Sequence, residues 1–228
     1  MSSNTTGANN VAVGNGALGA NTTGTQLVAV GKGALATAHP ANNNPPVGYL
    51  AFTANTSGSE NTAMGTETLD ANTSGAYDTA FGQAALSANT SASYNTAVGK
   101  AALGANTTGA ENTAMGYLTL DANTTGAKNT GIGSGSFGAN TTGSYNVAVG
   151  KSALESNTTA EENAAVGYEA SKANTTGAEN TSIGFKALTS NTTGARNTAL
   201  GKRCLHDCTT GTDNVAIGSK IDCGVSLQ

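Results

Sequence analysis

The chain has 228 residues, a formal net charge of −4 and only 11% charged residues. With 31 glycines, no tryptophan and few other aromatic residues, it lacks the large side chains that fill the thick core of an ordinary globular domain. Its acidic and basic residues are interspersed, so the sequence offers neither a basic stripe for nucleic acid nor a polybasic or amphipathic face for a membrane. No run of about 18 apolar residues and no secretion signal is present, so we expect a soluble chain that is not exported by the usual route.

A seventeen-residue sequence recurs through the whole chain, and residues 106–122, NTTGAENTAMGYLTLDA, are a representative copy. Thirteen units follow one another without insertion or deletion, and the degenerate unit at residues 38–54 keeps the period. Residues 4–207 are otherwise regular, and we interpret residues 208–228 as a C-terminal cap. A constant period predicts a solenoid, in which each unit is one coil and residues 1–228 form a single repeat domain. The units begin at residues 4, 21, 38, 55, 72, 89, 106, 123, 140, 157, 174, 191 and 208.

Positions within a unit are numbered here from the asparagine of NTTG. Positions 7 to 11 read Asn, Thr or Val, Ala, a large apolar residue and Gly, as in Asn95–Gly99, and this alternation predicts a short β-strand. Position 15 is Leu or Phe in all but two units. We therefore expect two large side chains per coil, at positions 10 and 15, to be buried. The sequence leaves open which strand face, the alanine side or the large apolar side, meets other chains.

Glycine occupies position 11 in every unit, whereas position 4 admits alanine in three units. We interpret position 11 as a structural glycine that needs a positive φ or a close approach of another backbone. The NTTG segment is interpreted as a turn, because Asn tolerates the left-handed region and Gly enters it without steric cost. The position 11 glycines include Gly14, Gly31, Gly65, Gly99, Gly116, Gly150, Gly184 and Gly218.

These patterns predict an all-β protein, a β-solenoid of seventeen-residue coils, because a helical repeat is longer and does not tolerate this Gly, Asn and Thr content. Stacked coils place equal positions above one another. We expect Asn ladders at positions 1 and 7, and a Thr ladder at position 2 that is broken only at His39. A thin coil buries too little apolar surface to offset its ordering entropy, which favours an obligate homo-oligomer, a homotrimer above all.

The phrases NVAVG at residues 10–14 and 146–150 and NVAIG at residues 214–218 resemble the head repeats of trimeric autotransporter adhesins. That resemblance implies a left-handed parallel β-roll assembled as a trimer. The longer phrase NTAVGKAALGANTTG, residues 95–109, is similar to repeats in fibre proteins of tailed bacteriophages. The adhesins carry an export signal, a coiled-coil stalk and a membrane barrel that this sequence lacks, which favours the phage fibres.

Other motifs are explained by the repeat. Two matches to the dinucleotide fingerprint, at residues 14–19 and 133–138, occupy the same register of two units and have no helix pattern after them. The NTT and NTS triplets have the form of glycosylation sequons but are the turn of each unit. Acidic residues are scattered without a recurrent facing pair. We therefore expect no cofactor and no enzymatic activity.

The C-terminal end carries the sequence's candidate metal or redox residues, Cys204, His206, Cys208 and Cys223. Three interpretations remain open at this stage: a zinc site that uses two or three of the cysteines with His206, a disulfide from Cys223 to Cys204 or Cys208, and buried thiols. Each of them would finish the end of the solenoid, which needs a cap.

Positions 6 and 12 vary most between units, so we expect them to face outward. They carry charged residues and aromatic rings that could contact a surface glycan or a partner protein, although a merely solvated face has the same composition. The candidate receptor-facing residues are Tyr77, Tyr94, Tyr117, Tyr145, Tyr168 and Phe185.

The combined expectation is a structural or adhesive virion fibre: a rigid trimeric rod on a bacteriophage tail or particle surface, assembled in the host cytoplasm. Its expected partners are two further copies of the chain, virion structural proteins at one or both ends, and a host surface glycan or protein. Nucleic acid and membrane are not expected partners. The alternatives are the head of a bacterial trimeric surface adhesin and an ice-binding β-solenoid with ordered threonine rows.

Overall fold

The computed structural model describes residues 1–37 and 42–222. His39, the predicted break in the Thr ladder, and Cys223, one of the candidate metal or redox residues, lie outside these ranges. Within them the chain is an all-β parallel β-solenoid with coils of about seventeen residues. No helix in the described ranges has the length and the hydropathy that a membrane crossing requires.

Each coil contributes one very short strand, at positions 8 to 10 where the sequence predicts it. The strands are β1 Val11–Val13, β2 Val28–Val30, β3 Pro46–Val47, β4 Thr62–Met64, β5 Thr79–Phe81, β6 Thr96–Val98, β7 Thr113–Met115, β8 Thr130–Ile132, β9 Val147–Val149, β10 Ala164–Val166, β11 Thr181–Ile183, β12 Thr198–Leu200 and β13 Val215–Ile217.

The chain divides into two compact units, residues 1–114 and residues 115–228. In the first unit β1 to β6 pair in parallel in chain order, and Val11 lies opposite Val28. In the second unit β8 to β13 do the same, and Leu200 lies opposite Ile217. The partners are one period apart, so the register confirms the predicted coil.

The strands alternate between a small inward side chain and two outward ones. Position 9, usually alanine, is buried in nearly every described coil, whereas positions 8 and 10 face outward. The expectation that position 10 is a core position is therefore wrong for the single chain. Period-2 alternation assigns positions 8 and 10 to the same face. The inner face of the strand accepts only a small residue because the position 14 and 15 side chains already fill the interior beside it, as Thr119 and Leu120 do beside Gly131.

The core of each coil is formed by positions 14 and 15, as in Ala85 and Leu86, which are fully buried. Leu86 has a φ of 52°, and position 15 lies in the left-handed region in every coil but the last, with φ between 47° and 56°. Positions 6 and 13 share this conformation. The predicted left-handed Asn and Gly of NTTG are not among the positive-φ residues. The turns instead use non-glycine residues in the left-handed region, each at a cost of roughly 1–2 kcal/mol.

The position 11 glycines have both a positive φ and a close approach to the backbone of the next coil. Their φ values lie between 124° and 149°, a region that residues with a Cβ rarely adopt. A Cβ added to Gly150 would lie 2.5 Å from the carbonyl oxygen of Gly167 in the next coil. At Gly184 the same approach is to the carbonyl oxygen of Gly201, also at 2.5 Å. A side chain at position 11 would thus strain the backbone and separate two coils.

Polar side chains form ladders along the stack, as predicted. At position 1, Nδ2 of Asn191 donates to Oδ1 of Asn174 at 2.9 Å, and at position 7, Nδ2 of Asn197 donates to Oδ1 of Asn180 at 3.0 Å. At position 2, Oγ1 of Thr73 donates to the carbonyl oxygen of Thr90 at 2.9 Å. These amides satisfy backbone groups in the interior, so a buried polar column replaces part of an apolar core.

Candidate functional site

In each unit the position 10 side chains form a column of apolar groups on the surface, here named the apolar stripe. Nine of its members are exposed, from 36% at Met64 to 67% at Ile217, and the other four are half-buried. The stripe comprises Val13, Val30, Val47, Met64, Phe81 and Val98 in the first unit, and Met115, Ile132, Val149, Val166, Ile183, Leu200 and Ile217 in the second. Position 8 extends it, with Val11, Val147 and Val215 exposed. Monomeric proteins rarely leave an apolar surface of this kind uncovered.

The candidate receptor-facing aromatic residues are all exposed, but several of them stack on one another. Tyr77 and Tyr94, at position 6, have ring centroids 5.0 Å apart and planes 3° from parallel. Tyr168 and Phe185, at position 12, are 5.3 Å apart and 10° from parallel. Because the coil spacing matches the stacking distance, the ring faces within each pair cover each other. Such pairs present edges, hydroxyl groups and their two outermost faces to a ligand.

Three aromatic residues of the second unit, Tyr145, Tyr168 and Phe185, lie beside lysine side chains. The ammonium group of Lys186 lies 6.0 Å from the ring centroid of Tyr168 and 5.8 Å from that of Phe185, and Lys202 lies 5.9 Å from Phe185. Positions 12 and 13 therefore share one face. Lys128 approaches Tyr145 in the same way, at 5.3 Å. These contacts hold the lysine head groups at the aromatic surface.

A chain of ion pairs lies beside this face. Lys172 contacts Glu155 at 3.3 Å and Glu169 at 3.4 Å, and Lys186 contacts Glu169 at 3.0 Å. The hydrogen bond from Lys186 is the main reason that the pKa of Glu169 is lowered, and the hydrogen bond to Glu155 is the main reason that the pKa of Lys172 is raised. Glu169 is therefore ionised and paired at neutral pH.

An open cavity of about 460 Å³ interrupts the surface of the second unit. It arises where the unit at residues 123–139 carries glycine at positions 13 and 16, and its walls include Leu118, Asp121 and Glu155. Burial raises the pKa of Asp121. Among the described residues, no group of three His, Cys, Asp or Glu side chains is placed to hold a metal ion.

Of the C-terminal candidate residues that the structure describes, Cys204 and Cys208 belong to one buried cluster and His206 lies at the surface. Cys204 is buried, and its thiol donates to the carbonyl oxygen of Ala216 at 3.2 Å, so burial raises its pKa. His206 is half-exposed, with Nδ1 2.7 Å from Oδ1 of Asp207. Cys208 is buried. Cys204 therefore belongs to the core and His206 to the surface.

Asp78 is a buried acid that the search for a recurrent pair of acidic residues missed. Comparison of the units could have found it, because it is the one Asp at position 7. Its carboxylate accepts hydrogen bonds from the backbone N–H and Nδ2 of Asn95, at 2.8 and 3.2 Å, and from Nδ2 of Asn89 at 3.1 Å. Desolvation outweighs these three donors and raises the pKa of Asp78 to about 7.

No protein-family model, curated protein or solved structure matches the chain.

Proposed function

We propose that the chain is a structural and adhesive fibre protein, which assembles as a homotrimer through the apolar stripe. The observation that carries this proposal is that every described coil places a large apolar side chain at position 10 on the outer face of its strand. An enzyme or a small-molecule carrier needs one specialised pocket, whereas this surface repeats coil by coil. A surface that repeats along the stack suits a partner with the same repeat.

A second copy of the chain is the partner with that repeat. Coils of equal length give two parallel copies the same spacing, so that each position 10 side chain meets an apolar counterpart. Fully burying such a side chain is worth about 1.5–3 kcal/mol, and covering the roughly 40% that is still exposed contributes about 0.6–1.2 kcal/mol per coil. Six or seven coils in each unit make this a substantial association energy.

We propose three copies per assembly because NVAVG and NVAIG resemble the repeats of the trimeric adhesin heads. In this trimer the apolar stripe of each copy faces the three-fold axis. Cyclic symmetry lets the stripe of each copy contact both others along one axis. We propose the large apolar side, and not the alanine side, for this interface, because alanine at position 9 already lies inside the coil.

The site of action that we propose is a bacteriophage particle, as a tail fibre or a decoration protein, with virion proteins at one or both ends and a host glycan or protein as receptor. The alternative is the head of a bacterial surface adhesin, which genomic neighbours encoding an anchor or a secretion barrel would favour. Ice binding is a weaker alternative, because the position 2 hydroxyls, such as that of Thr73, donate to backbone carbonyls. A thermal-hysteresis measurement tests it.

Native mass spectrometry tests the assembly. We expect a species of three times the 22.2 kDa chain mass. Replacing Ile183 and Leu200 in the apolar stripe with Lys should give monomers, because each lysine would bury a charge at the interface. The matched control replaces Glu162 and Glu179, at exposed position 6, with Lys and should remain trimeric. A monomeric wild-type chain would refute the proposal.

Electron microscopy of purified particles tests the location. A gold-labelled antibody against the chain should decorate tail fibres or the capsid surface at regular positions. Label found only on the bacterial envelope would favour the adhesin alternative.

A further inference from the structure

We propose that the second unit binds an acidic polysaccharide along the face formed by positions 12 and 13 of its last five coils, here named the basic–aromatic face. The inference deepens the proposed function and rests on its glycan-contacting role. The face consists of Lys151, Tyr168, Phe185, Lys186, Lys202, Arg203 and Lys220, together with Ser152, Glu169 and Ser219.

The basic–aromatic face is positively charged, whereas the whole chain has a negative net charge. The chain has a net charge of −4 with ten basic residues, and five of those ten lie on the basic–aromatic face, beside a single acid at positions 12 and 13. That acid, Glu169, is paired with Lys172 and Lys186. The local excess of positive charge would attract a polyanion to an otherwise acidic protein.

The distance between consecutive coils sets the spacing of the cations on this face. Lys186, Arg203 and Lys220 occupy position 13 of three consecutive coils, so their Cα atoms follow one another at about 4.8 Å. The backbone N–H of Lys220 donates to the carbonyl oxygen of Lys202 at 3.0 Å, which ties adjacent coils together at this face. A rigid row of cations matches a linear polymer that carries an anionic group on each sugar or on alternate sugars.

The aromatic pair gives the face a surface for sugar rings. Tyr168 and Phe185 cover each other on their inner sides, and the ammonium groups of Lys186 and Lys202 lie over the rings, 5.8 to 6.0 Å from the centroids. Apolar C–H groups of a sugar can pack on the rings while its carboxylates pair with the cations. This combination favours a carboxylated polysaccharide over an inorganic anion, which would use the cations alone.

The face continues into a cavity at the end of the described chain. The cavity has a volume of about 260 Å³ and is lined by Arg203, His206, Asp207, Lys220 and Asp222. Its two acids reduce the local charge, and Asp207 contacts Nδ1 of His206. Arg203 and Lys220 thus belong both to the cavity wall and to the basic–aromatic face, so a polymer lying along the coils would meet both.

The experiment titrates the full-length chain with an oligogalacturonate and, separately, with the same oligosaccharide fully methyl-esterified, by isothermal calorimetry at 50 and 200 mM salt. We expect binding of the acid form only, weakened at the higher salt concentration because exposed charge pairs are screened. The variant that combines Lys202→Gln, Arg203→Gln and Lys220→Gln should bind about tenfold more weakly. All three side chains are exposed, so the substitutions leave the core intact.

The matched control combines Lys32→Gln, Lys100→Gln and Lys128→Gln, which removes the same charge from the first six coils and the eighth and should leave the affinity unchanged. Equal weakening by both triple variants would mean a net-charge effect and would overturn the proposal. Equal binding of the methyl ester would overturn it as well. A thymidine oligonucleotide is titrated in the same way, and tighter binding of it than of the oligogalacturonate would also overturn the proposal. The oligomeric state, measured on the same samples, shows separately whether the proposed trimer holds.

Discussion

Replacing Asp78 with Asn should stabilise the protein at neutral and alkaline pH and remove a pH dependence that the wild-type chain carries. Asp78 is fully buried in the position 7 ladder, and among the described residues its carboxylate is contacted by the amide donors of Asn89 and Asn95 and by no cation. An Asn at this position can accept the backbone N–H of Asn95 and donate from Nδ2, as Asn61 does to the carbonyl oxygen of Gly75 at 2.9 Å. The ladder would then be regular through this coil.

The magnitude follows from the pKa. Folding raises the pKa of Asp78 from 3.8 to about 7, so the folded chain holds a proton that the unfolded chain releases between these values. The contribution of this proton to stability is complete below pH 3.8 and is lost as the pH rises to about 7. A shift of roughly three units corresponds to about 4 kcal/mol, at 1.36 kcal/mol per unit.

Urea unfolding followed by circular dichroism at pH 4, 5, 6, 7 and 8, at one protein concentration, measures the effect. We expect Asp78→Asn and the wild-type chain to be similar at pH 4 and the variant to be more stable by up to about 4 kcal/mol at pH 8. Asn146→Asp is the matched control, because it places an acid at the same ladder position of another coil and should create the pH dependence anew. Parallel pH profiles of wild type and Asp78→Asn would refute the reasoning.

Three further predictions concern the coil itself. Gly116→Val should lower the free energy of unfolding by more than about 3 kcal/mol, because φ is 142° and an added Cβ would lie 2.7 Å from Oγ1 of Thr119. The control Glu111→Gln should leave thermal stability unchanged, and equal melting temperatures of the two variants would contradict the register. Ser182→Ala should lower the free energy of unfolding by about 1 kcal/mol, because it removes the 2.8 Å hydrogen bond with buried Ser171. Adding Ser171→Leu should restore that stability, and additive effects of the two substitutions would contradict the prediction. The Cys204 thiol should react with a maleimide at least a hundredfold more slowly in native protein than in urea, and comparable rates would mean that it is not buried.

The repeat was sufficient to predict the coil, the strand and the ladders. A period of seventeen residues places Val11 opposite Val28 and Leu200 opposite Ile217, because any other register would misalign every glycine at position 11. The Asn and Thr columns follow from that register alone. The outward direction of Tyr77 and Tyr168 was also predictable, since positions that vary between copies are the ones that packing does not constrain.

The location of the turns was not predictable in the same way. Residue preferences point to Asn and Gly of NTTG as left-handed residues, but Leu86, Glu169 and Tyr94 adopt that conformation instead. Leucine has a poor intrinsic preference for positive φ, and the coil imposes it because this is how the side chain reaches the core. Tertiary packing therefore overrides the local preference.

What the sequence determined by itself is the architecture: thirteen equal units, one strand in each, and a backbone that only glycine satisfies at position 11. What only the tertiary structure decided is which side of the strand is buried and which side chains meet on the surface. Alternation separates position 9 from position 10 but does not say which is inside, since both are apolar. The volume left inside the coil decides it: the position 15 Leu or Phe already fills the interior, so the strand turns its small residue inward and its larger side chain outward, where another chain can cover it.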